Sequence, residues 1–463
     1  MYLGLKQSGL TLGEAASFMG GTLYGASPDS RFFEFSTDSR KISGGELFFA
    51  LSGERFDAHA FVPSVIAAGA LCAVVSKPQE ESIPHILVND TKTALGAFAK
   101  NYYARFPSLT VGVTGSVGKT TTKEFIAAVL AEKYETAKTA GNFNNEIGLP
   151  LTLLAFEAPK NALVTEMGIS ARGEISRLTR IACPDIAVIT NVGSSHLENL
   201  GTRENIALAK LEITEGLSEK GLLIINGDEP LLRERKNTFK NTLLVSLSDK
   251  NCDYFAYNIE EDAGFTRFCY DSPAGKGKCA CIPAPGKHNV YNALCAIAVG
   301  EAAGLTEEQI RAGLLSFTGA AMRAEAKKRG NVTVVEDCYN ASPESMRASI
   351  SVLCAGSYGK GRKIAFLGEM RELGRDSAKM HFDVGVYAAE AGVGLLFTFG
   401  KNAEEIARGA KSAGMSEENI FIITDTENAD AAAEKLKETI KKDDIILFKA
   451  SRALKLERIS AKI

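Results

Sequence analysis

The sequence predicts an α/β protein in three domains: a small mixed α/β N-terminal domain over 1–107, a central domain built on a parallel sheet over 108–319, and a smaller α/β domain over 320–463. Three observations predict it. The chain has 463 residues, about three domains at roughly 150 residues each. Near-continuous apolar runs alternate with helical stretches, the pattern of a parallel sheet covered on both faces. A glycine-rich turn joins one of those runs to a helix, and a Pro at 107 separates it from what precedes.

The elements follow in order. ELFFALSG (46–53) reads as a strand, VPSVIAAGA (62–70) as a helix and LCAVVS (71–76) as the next strand. After the break at 105–108 the units lengthen. LTVGVTG (109–115) is a strand entering the glycine-rich turn, and KTTTKEFIAAVLAEKY (119–134) is the helix leaving it. ALVTEMG (162–168), DIAVITNVG (185–193) and LLIIN (222–226) are further strands, the first two ending in polar residues. In the third part VTVVED (332–337), KIAFLGEM (363–370), GLLFTFG (394–400), NIFIIT (419–424) and DIILFKA (444–450) alternate with helices such as ADAAAEKLKETI (429–440), a Rossmann-like arrangement.

Composition excludes several classes. Lys and Arg number 53 against 56 Asp and Glu, a net charge of −3, so no broad basic surface for nucleic acid is expected. With 45% hydrophobic and 24% charged residues the chain is not a disordered one. The most apolar stretch, 66–75, is half the length of about 20 residues that a membrane span needs. Lys6 and Glu14 interrupt any signal-peptide core, so a cytoplasmic location is expected. The nine cysteines are scattered; Cys279 and Cys281 are the only close pair, and reduced structural thiols are expected.

Chemistry concentrates first in Thr114-Gly115-Ser116-Val117-Gly118-Lys119-Thr120-Thr121-Thr122. A strand before it and a helix after it are the context of a phosphate loop. Glycines let the backbone N–H groups turn inward around phosphate oxygens, and the helix N-terminus adds positive potential. Lys119 would reach the β and γ phosphates, and the Thr120 hydroxyl would meet Mg²⁺. Val113 stands where the strict pattern has its first glycine. Glu166 and His196 follow the ends of apolar strands, at the sheet edge that faces a ligand crevice. Each is either a metal ligand or a satisfied polar residue at a strand end. Lys210 falls on the apolar stripe of a helix expected over 202–217, with Ile206 and Ile213. It is either a snorkelling lysine or a functional one beside the phosphates.

The segments TGSVGKTTTKEF, GNFNNEIGLPLTLL, EMGISARGEI, NVGSSHLENLGTRENIALAKLEI and GKHNVYNALCAIAV together resemble the Mur ligases, ATP-dependent amide-forming enzymes of peptidoglycan precursor synthesis. That family also lacks the first glycine of the loop. EDCYNASPESM, FLGEMRELG and FSTDSRKISGGELFFALSGERFDAHAFV are similar to its branch that adds D-alanyl-D-alanine. The resemblance covers essentially the whole chain. It implies ATP and two Mg²⁺ ions as cofactors, with Gly115, Ser116, Val117, Gly118, Lys119, Thr120 and Thr121 around the phosphates. Thr120, Glu166 and His196 would be metal ligands, joined by Lys210 once carbamylated. Asn289 and Asn292 would sit at the nucleotide, and Arg323 and Asp337 would close the third domain on ATP. Ser36, Asp38, Ser39 and Arg40 would lie near a uridine nucleotide, and Asn340 near substrate. Three positions depart from the family pattern: Ala58, Met322 and Ala450 stand where Gly is usual.

The implied reaction joins D-alanyl-D-alanine to UDP-N-acetylmuramoyl-tripeptide through an acyl phosphate, in a cytoplasmic monomer with no nucleic-acid partner. The branch that adds a free amino acid is disfavoured because its Asp-Asn-Pro-Arg or Asp-Asn-Pro-Ala motif is absent. A folylpolyglutamate synthase would not need the N-terminal uridine-type domain. A non-enzymatic ATP-binding regulator would not need Glu166, His196 and Lys210 together. His59 is expected either at substrate or in a turn, and His85 and His381 in structural roles. The run Lys327-Lys328-Arg329 is expected as a solvated turn.

Overall fold

The computed structural model describes residues 2–4, 9–53, 56–157, 160–262 and 264–463. Lys6 and the Glu54–Arg55 pair of the N-terminal motif lie outside the described residues. The first of three large sheets has six strands, in the order Tyr2–Gly4, Glu34–Ser36, Leu47–Phe49, Cys72–Val75, His85–Leu87, Thr22–Tyr24. Its parallel centre is flanked by antiparallel edges.

The second sheet has nine strands. Thr136–Lys138, Ala162–Glu166, Leu109–Thr114, Ile186–Ile189, Leu222–Asn226, Thr242–Ser246 and Tyr254–Asp262 run parallel in that order. Side chains alternate between its faces. Val111, Val113, Val188 and Ile224 pack on Phe125, Ile126 and Ile297 of the helices Lys119–Leu130 and Lys287–Ala302. Ala187, Ile189, Leu223 and Ile225 face the other layer, with Ile175, Leu178, Ile206 and Ala209. Register places Val113 opposite both Glu166 and Val188. The phosphate-loop strand is thus central, between the strand that ends in Glu166 and the strand that leads to His196.

Two elements differ from expectation here. An antiparallel meander, Tyr254–Asp262, Phe265–Ser272 and Gly275–Ile282, completes the sheet where only parallel strands were expected. The helix expected over 202–217 is α-helical only over Arg203–Leu211 and tightens to a 3₁₀ turn over Glu212–Gly216. Ile206, Lys210 and Ile213 nonetheless form one fully buried stripe.

The third sheet runs Glu325–Arg329, Val332–Glu336, Ile445–Lys449, Lys363–Gly368, Leu395–Phe399, Ile420–Ile423, parallel except for its first, antiparallel edge. That edge corrects the reading of Lys327-Lys328-Arg329 as a turn. The strand period puts Lys327 and Arg329 on one face, where they hold the buried Glu336 at 3.1 and 2.9 Å. Ala450 is fully buried, and the space its methyl group fills is left by Gly368, where a Cβ would lie 2.6 Å away.

Core continuity differs between the two domain junctions. Phe98 and Tyr102 of the helix Thr91–Tyr103 share one apolar cluster with Leu151, Leu153, Phe156 and Leu163. Among the described residues the apolar clusters of the third part contain only its own residues, and its contacts with the centre include the polar pairs Ser194–Glu344 and Glu261–Ser357. Such an interface separates at low cost, whereas the first junction is a shared core. Among the described residues no helix is long and apolar enough to cross a membrane.

Candidate active site

The strand Leu109–Thr114 delivers the chain into Gly115 at φ +153°, and Gly118 at φ +81° heads the helix Lys119–Leu130. Both glycines are required by space as well as by φ. A Cβ on Gly115 would lie 1.8 Å from Thr190 Oγ1, and one on Gly118 would lie 2.8 Å from Asn292 Oδ1. The N–H groups of Ser116 and Val117 turn inward and donate to Asn191 Oδ1 at 3.1 and 3.0 Å. Lys119 Nζ folds back on the carbonyls of Gly115 and Ser116, at 2.8 and 3.3 Å. Gly115→Ala is expected to lose most phosphate-releasing activity and about 1–3 kcal/mol of stability through overpacking. Phosphate release and thermal unfolding check it.

Glu166 closes its strand, buried. Its Oε2 accepts from Thr120 Oγ1 at 2.8 Å and its Oε1 from Asn144 Nδ2 at 2.9 Å. Lys123, buried on the same helix as Thr120, places Nζ 3.9 Å from Oε2. His196 adopts left-handed backbone, φ +65°, at the head of the turn Leu197–Leu200. Burial pulls the Lys119 ammonium below the usual lysine range, against the opposing charge of Glu166.

Lys210 is fully buried, and among the described residues its Nζ has no hydrogen-bond partner. Burial, and then the charge of Lys119, push it well below the ordinary lysine range. Such a shift favours the neutral, nucleophilic form of the amine. This orphaned nitrogen, with the oxygens of Glu166 and Thr120 and the imidazole of His196, fits a site for a hard divalent cation once Lys210 carries an oxygen-bearing adduct.

One cavity of about 1650 Å³ gathers most of the expected residues. Residues 116–121, Glu166 and His196 line it from the central domain, as do Asn289 and Asn292. Arg323, Asp337 and Asn340 line it from the third. Asn292 Oδ1 accepts from Thr122 Oγ1 at 2.9 Å and its Nδ2 donates to Asn289 Oδ1 at 3.1 Å, which braces the loop helix. Lys449 donates to Asp337 Oδ2 at 2.7 Å. The Arg323 guanidinium stacks 4.4 Å from the Tyr339 ring. Met322 and Ala324 flank it at φ +58° and +55°, a conformation that explains why Gly is usual at 322. Lys210 lies behind this wall rather than on it.

Ser36, Asp38, Ser39 and Arg40 are not on the cavity wall. They form their own turn at the end of the strand Glu34–Ser36. Ser36 Oγ donates to the Asp38 carbonyl at 3.0 Å, Asp38 caps the turn Ser39–Lys41, and exposed Arg40 grips its carboxylate at 2.8 and 2.9 Å. That pairing holds the Asp38 carboxyl well below its usual range. His381 is fully buried; its Nε2 accepts from Met370 N at 2.9 Å and its Nδ1 meets Ser377 O at 2.7 Å, a structural role. His85 Nδ1 meets Ile83 O at 2.7 Å, and His59 lies 2.6 Å from Asp57.

The site also contains residues that sequence reasoning did not single out. Asn144 and Lys123 sit in segments already suspect, but nothing in their spacing aims them at Glu166. Glu344 comes from the third domain, where its Oε1 accepts from the N–H and hydroxyl of Ser194, both at 2.8 Å. Glu372 brings its carboxylate 2.5 Å from His196 Nδ1.

A phosphate loop at the centre of a parallel sheet, faced by a Rossmann-like domain that carries its own polar wall, defines a class of three-domain P-loop ligase. The profile of the Mur ligase family catalytic domain matches residues 34–103, the Mur ligase middle domain 113–300 and the Mur ligase glutamate ligase domain 322–452. The chain belongs to the Mur ligase family. It is 42% identical over 430 residues to the UDP-N-acetylmuramoyl-tripeptide–D-alanyl-D-alanine ligase of Bacillus subtilis, covering 92% of this chain and 91% of that one. Among solved structures, MurF from Acinetobacter baumannii superposes with a TM-score of 0.89 at 31% identity over 98% of each chain. MurF ligase from Thermotoga maritima in complex with ADP gives 0.83 at 31% identity, over 92% of this chain and 96% of that one.

Proposed function

We propose that this protein is the ATP-dependent ligase that joins D-alanyl-D-alanine to UDP-N-acetylmuramoyl-tripeptide, yielding the pentapeptide precursor of peptidoglycan, ADP and phosphate. One observation carries the reading: the phosphate loop, Glu166 and His196 share a cavity with Arg323, Asp337 and Asn340 of the third domain. The names of the relatives and the ADP-bound neighbour support it. Localisation in the cytoplasm and action as a monomer belong to the same proposal.

The loop N–H groups and Lys119 hold the phosphates of ATP and stabilise charge on the transferring phosphoryl group. Thr120, Glu166 and His196 would hold Mg²⁺, with Lys210 after its neutral amine adds carbon dioxide and releases a proton, leaving a carbamate oxygen. Bound Mg²⁺ supplies charge neutralisation at the phosphates. A carboxylate oxygen of the tripeptide attacks the γ-phosphorus, and the bridging oxygen leaves with ADP. The dipeptide amine then attacks the acyl carbon; phosphate leaves and the nitrogen gives up a proton. Arg323 and Asp337 close on the nucleotide, Asn340 faces the substrates, and the Ser36–Arg40 turn contacts the uridine nucleotide. Closure excludes the water that would hydrolyse the acyl phosphate.

The test is incubation of the protein with ATP, Mg²⁺, D-alanyl-D-alanine and the lysine or diaminopimelate tripeptide, read by mass spectrometry. Pentapeptide formation from one of them is expected. Transfer of free D-alanine, or no product from an intact ATP-binding protein, would sink the proposal.

A further inference from the structure

His196 and Glu372 come from different domains, and both are strained. They are non-glycine residues in left-handed backbone, at φ +65° and +62°. Such conformations are unfavourable for residues with a Cβ and persist where surrounding structure imposes them. Here the two strained residues face each other. Glu372 Oε2 lies 2.5 Å from His196 Nδ1, an ion-pair contact, and that nitrogen is buried from solvent with no hydrogen bond of regular geometry to any other group among the described residues. The backbone of the same glutamate is tied to the same turn, because Glu198 N donates to Glu372 O at 3.2 Å. Gly374 brings the third-domain chain so close that a Cβ there would touch Glu198 Cα at 3.4 Å. Glu372 is therefore anchored by main chain and side chain to the three residues that begin with His196.

We infer that Glu372 is a positioning residue: across the domain boundary it holds the proton of His196 on Nδ1 and so presents the Nε2 lone pair to the cavity for a divalent cation. A carboxylate behind a ligating imidazole fixes both the tautomer and the ring orientation, and its loss typically weakens metal binding about 10–100-fold. Glu372 belongs to the third domain, whose junction with the centre has no shared apolar core. The His196 arm of the site is thus fully oriented only when that domain is docked, and cation affinity and closure are linked. By reciprocity, a bound cation favours the docked state by the same factor. Glu344, which holds Ser194 two residues before His196, is a second closure contact that does not touch the imidazole.

This inference rests on the proposed role of His196 toward the metal, so the experiment has a metal-free arm. In ¹⁵N-histidine spectra of the metal-free protein, with His196 assigned by its loss in His196→Gln, a predominantly Nδ1–H tautomer is expected. Glu372→Ala should return it to a mixture dominated by Nε2–H, and Glu372→Gln, which keeps an acceptor, should restore most of it. An unchanged tautomer in Glu372→Ala overturns the positioning role. In the second arm, Mn²⁺ binding in the presence of a non-hydrolysable ATP analogue is read by electron paramagnetic resonance. Glu372→Ala should weaken it 10–100-fold and Glu344→Gln by a smaller factor. Equal weakening by both variants overturns the inference in favour of a latch alone. A shifted tautomer with unchanged Mn²⁺ affinity overturns the metal role of the pair and, with it, His196 as a ligand.

Discussion

Lys119→Ala is expected to abolish pentapeptide formation, with kcat/KM down at least ~10³-fold while the protein stays folded. Removing one preorganised donor at a developing charge typically costs 10²–10³ in rate, and Lys119 brings a full charge as well as a donor. Its Nζ is held at the mouth of the loop by two carbonyls, at 2.8 and 3.3 Å. Arg323 is near enough to lower the Lys119 pKa, but its guanidinium is stacked on Tyr339. Loss should therefore appear in the chemical step more than in nucleotide affinity, because the loop N–H groups remain. Rapid-quench kinetics with ATP and tripeptide separate the two. Retention of activity within tenfold would show that the loop holds phosphates without assisting their transfer.

Much of the fold was legible because it is written in local pattern. LLIIN forms a strand over its own five residues, Leu222–Asn226, since an unbroken apolar run buried on both faces has few alternatives. The phosphate loop was legible because glycine at 115 and 118 answers a requirement of φ and space. Lys210 was legible because a lysine in an apolar stripe is anomalous whatever the length of its helix. The meander over 254–282 was not, because its strands are half exposed and carry polar residues such as Glu260 and Lys278 between the apolar ones. Lys327 and Arg329 looked like a solvated run until register supplied Glu336. Glu344 and Glu372 were invisible for a different reason: a glutamate that meets its partner 150 residues away, as Glu344 meets Ser194, leaves no periodic trace. What sequence pattern shows is therefore each wall of the site; what it hides is how the walls meet.

The second large effect is a divergence of stability and activity at Lys210. Lys210→Met is expected to make the metal-free protein more stable by about 1–3 kcal/mol, the usual cost of a buried polar group with no partner. The thioether matches the length of the lysine stem and suits a site among Ile206, Ile213 and Leu211. The same change should lower pentapeptide formation at least ~100-fold, because no oxygen donor can form at that position. The pH dependence gives a further check. The folded amine, with its pKa pushed down, binds its proton less tightly than the unfolded amine does. The unfolded state then holds more protons, so wild-type stability rises with pH through the window from the lowered folded value up to the ordinary lysine value near 10.5. Methionine has no such slope. Urea unfolding in carbon-dioxide-depleted buffer should show the advantage of Lys210→Met shrinking between pH 7.5 and pH 9.5. A variant less stable than wild type at pH 7.5 would mean that Lys210 is already satisfied in the folded state. Activity within tenfold of wild type would remove the lysine from the chemistry. Stability gained together with activity lost is what distinguishes a residue kept for its reaction from one kept for its packing.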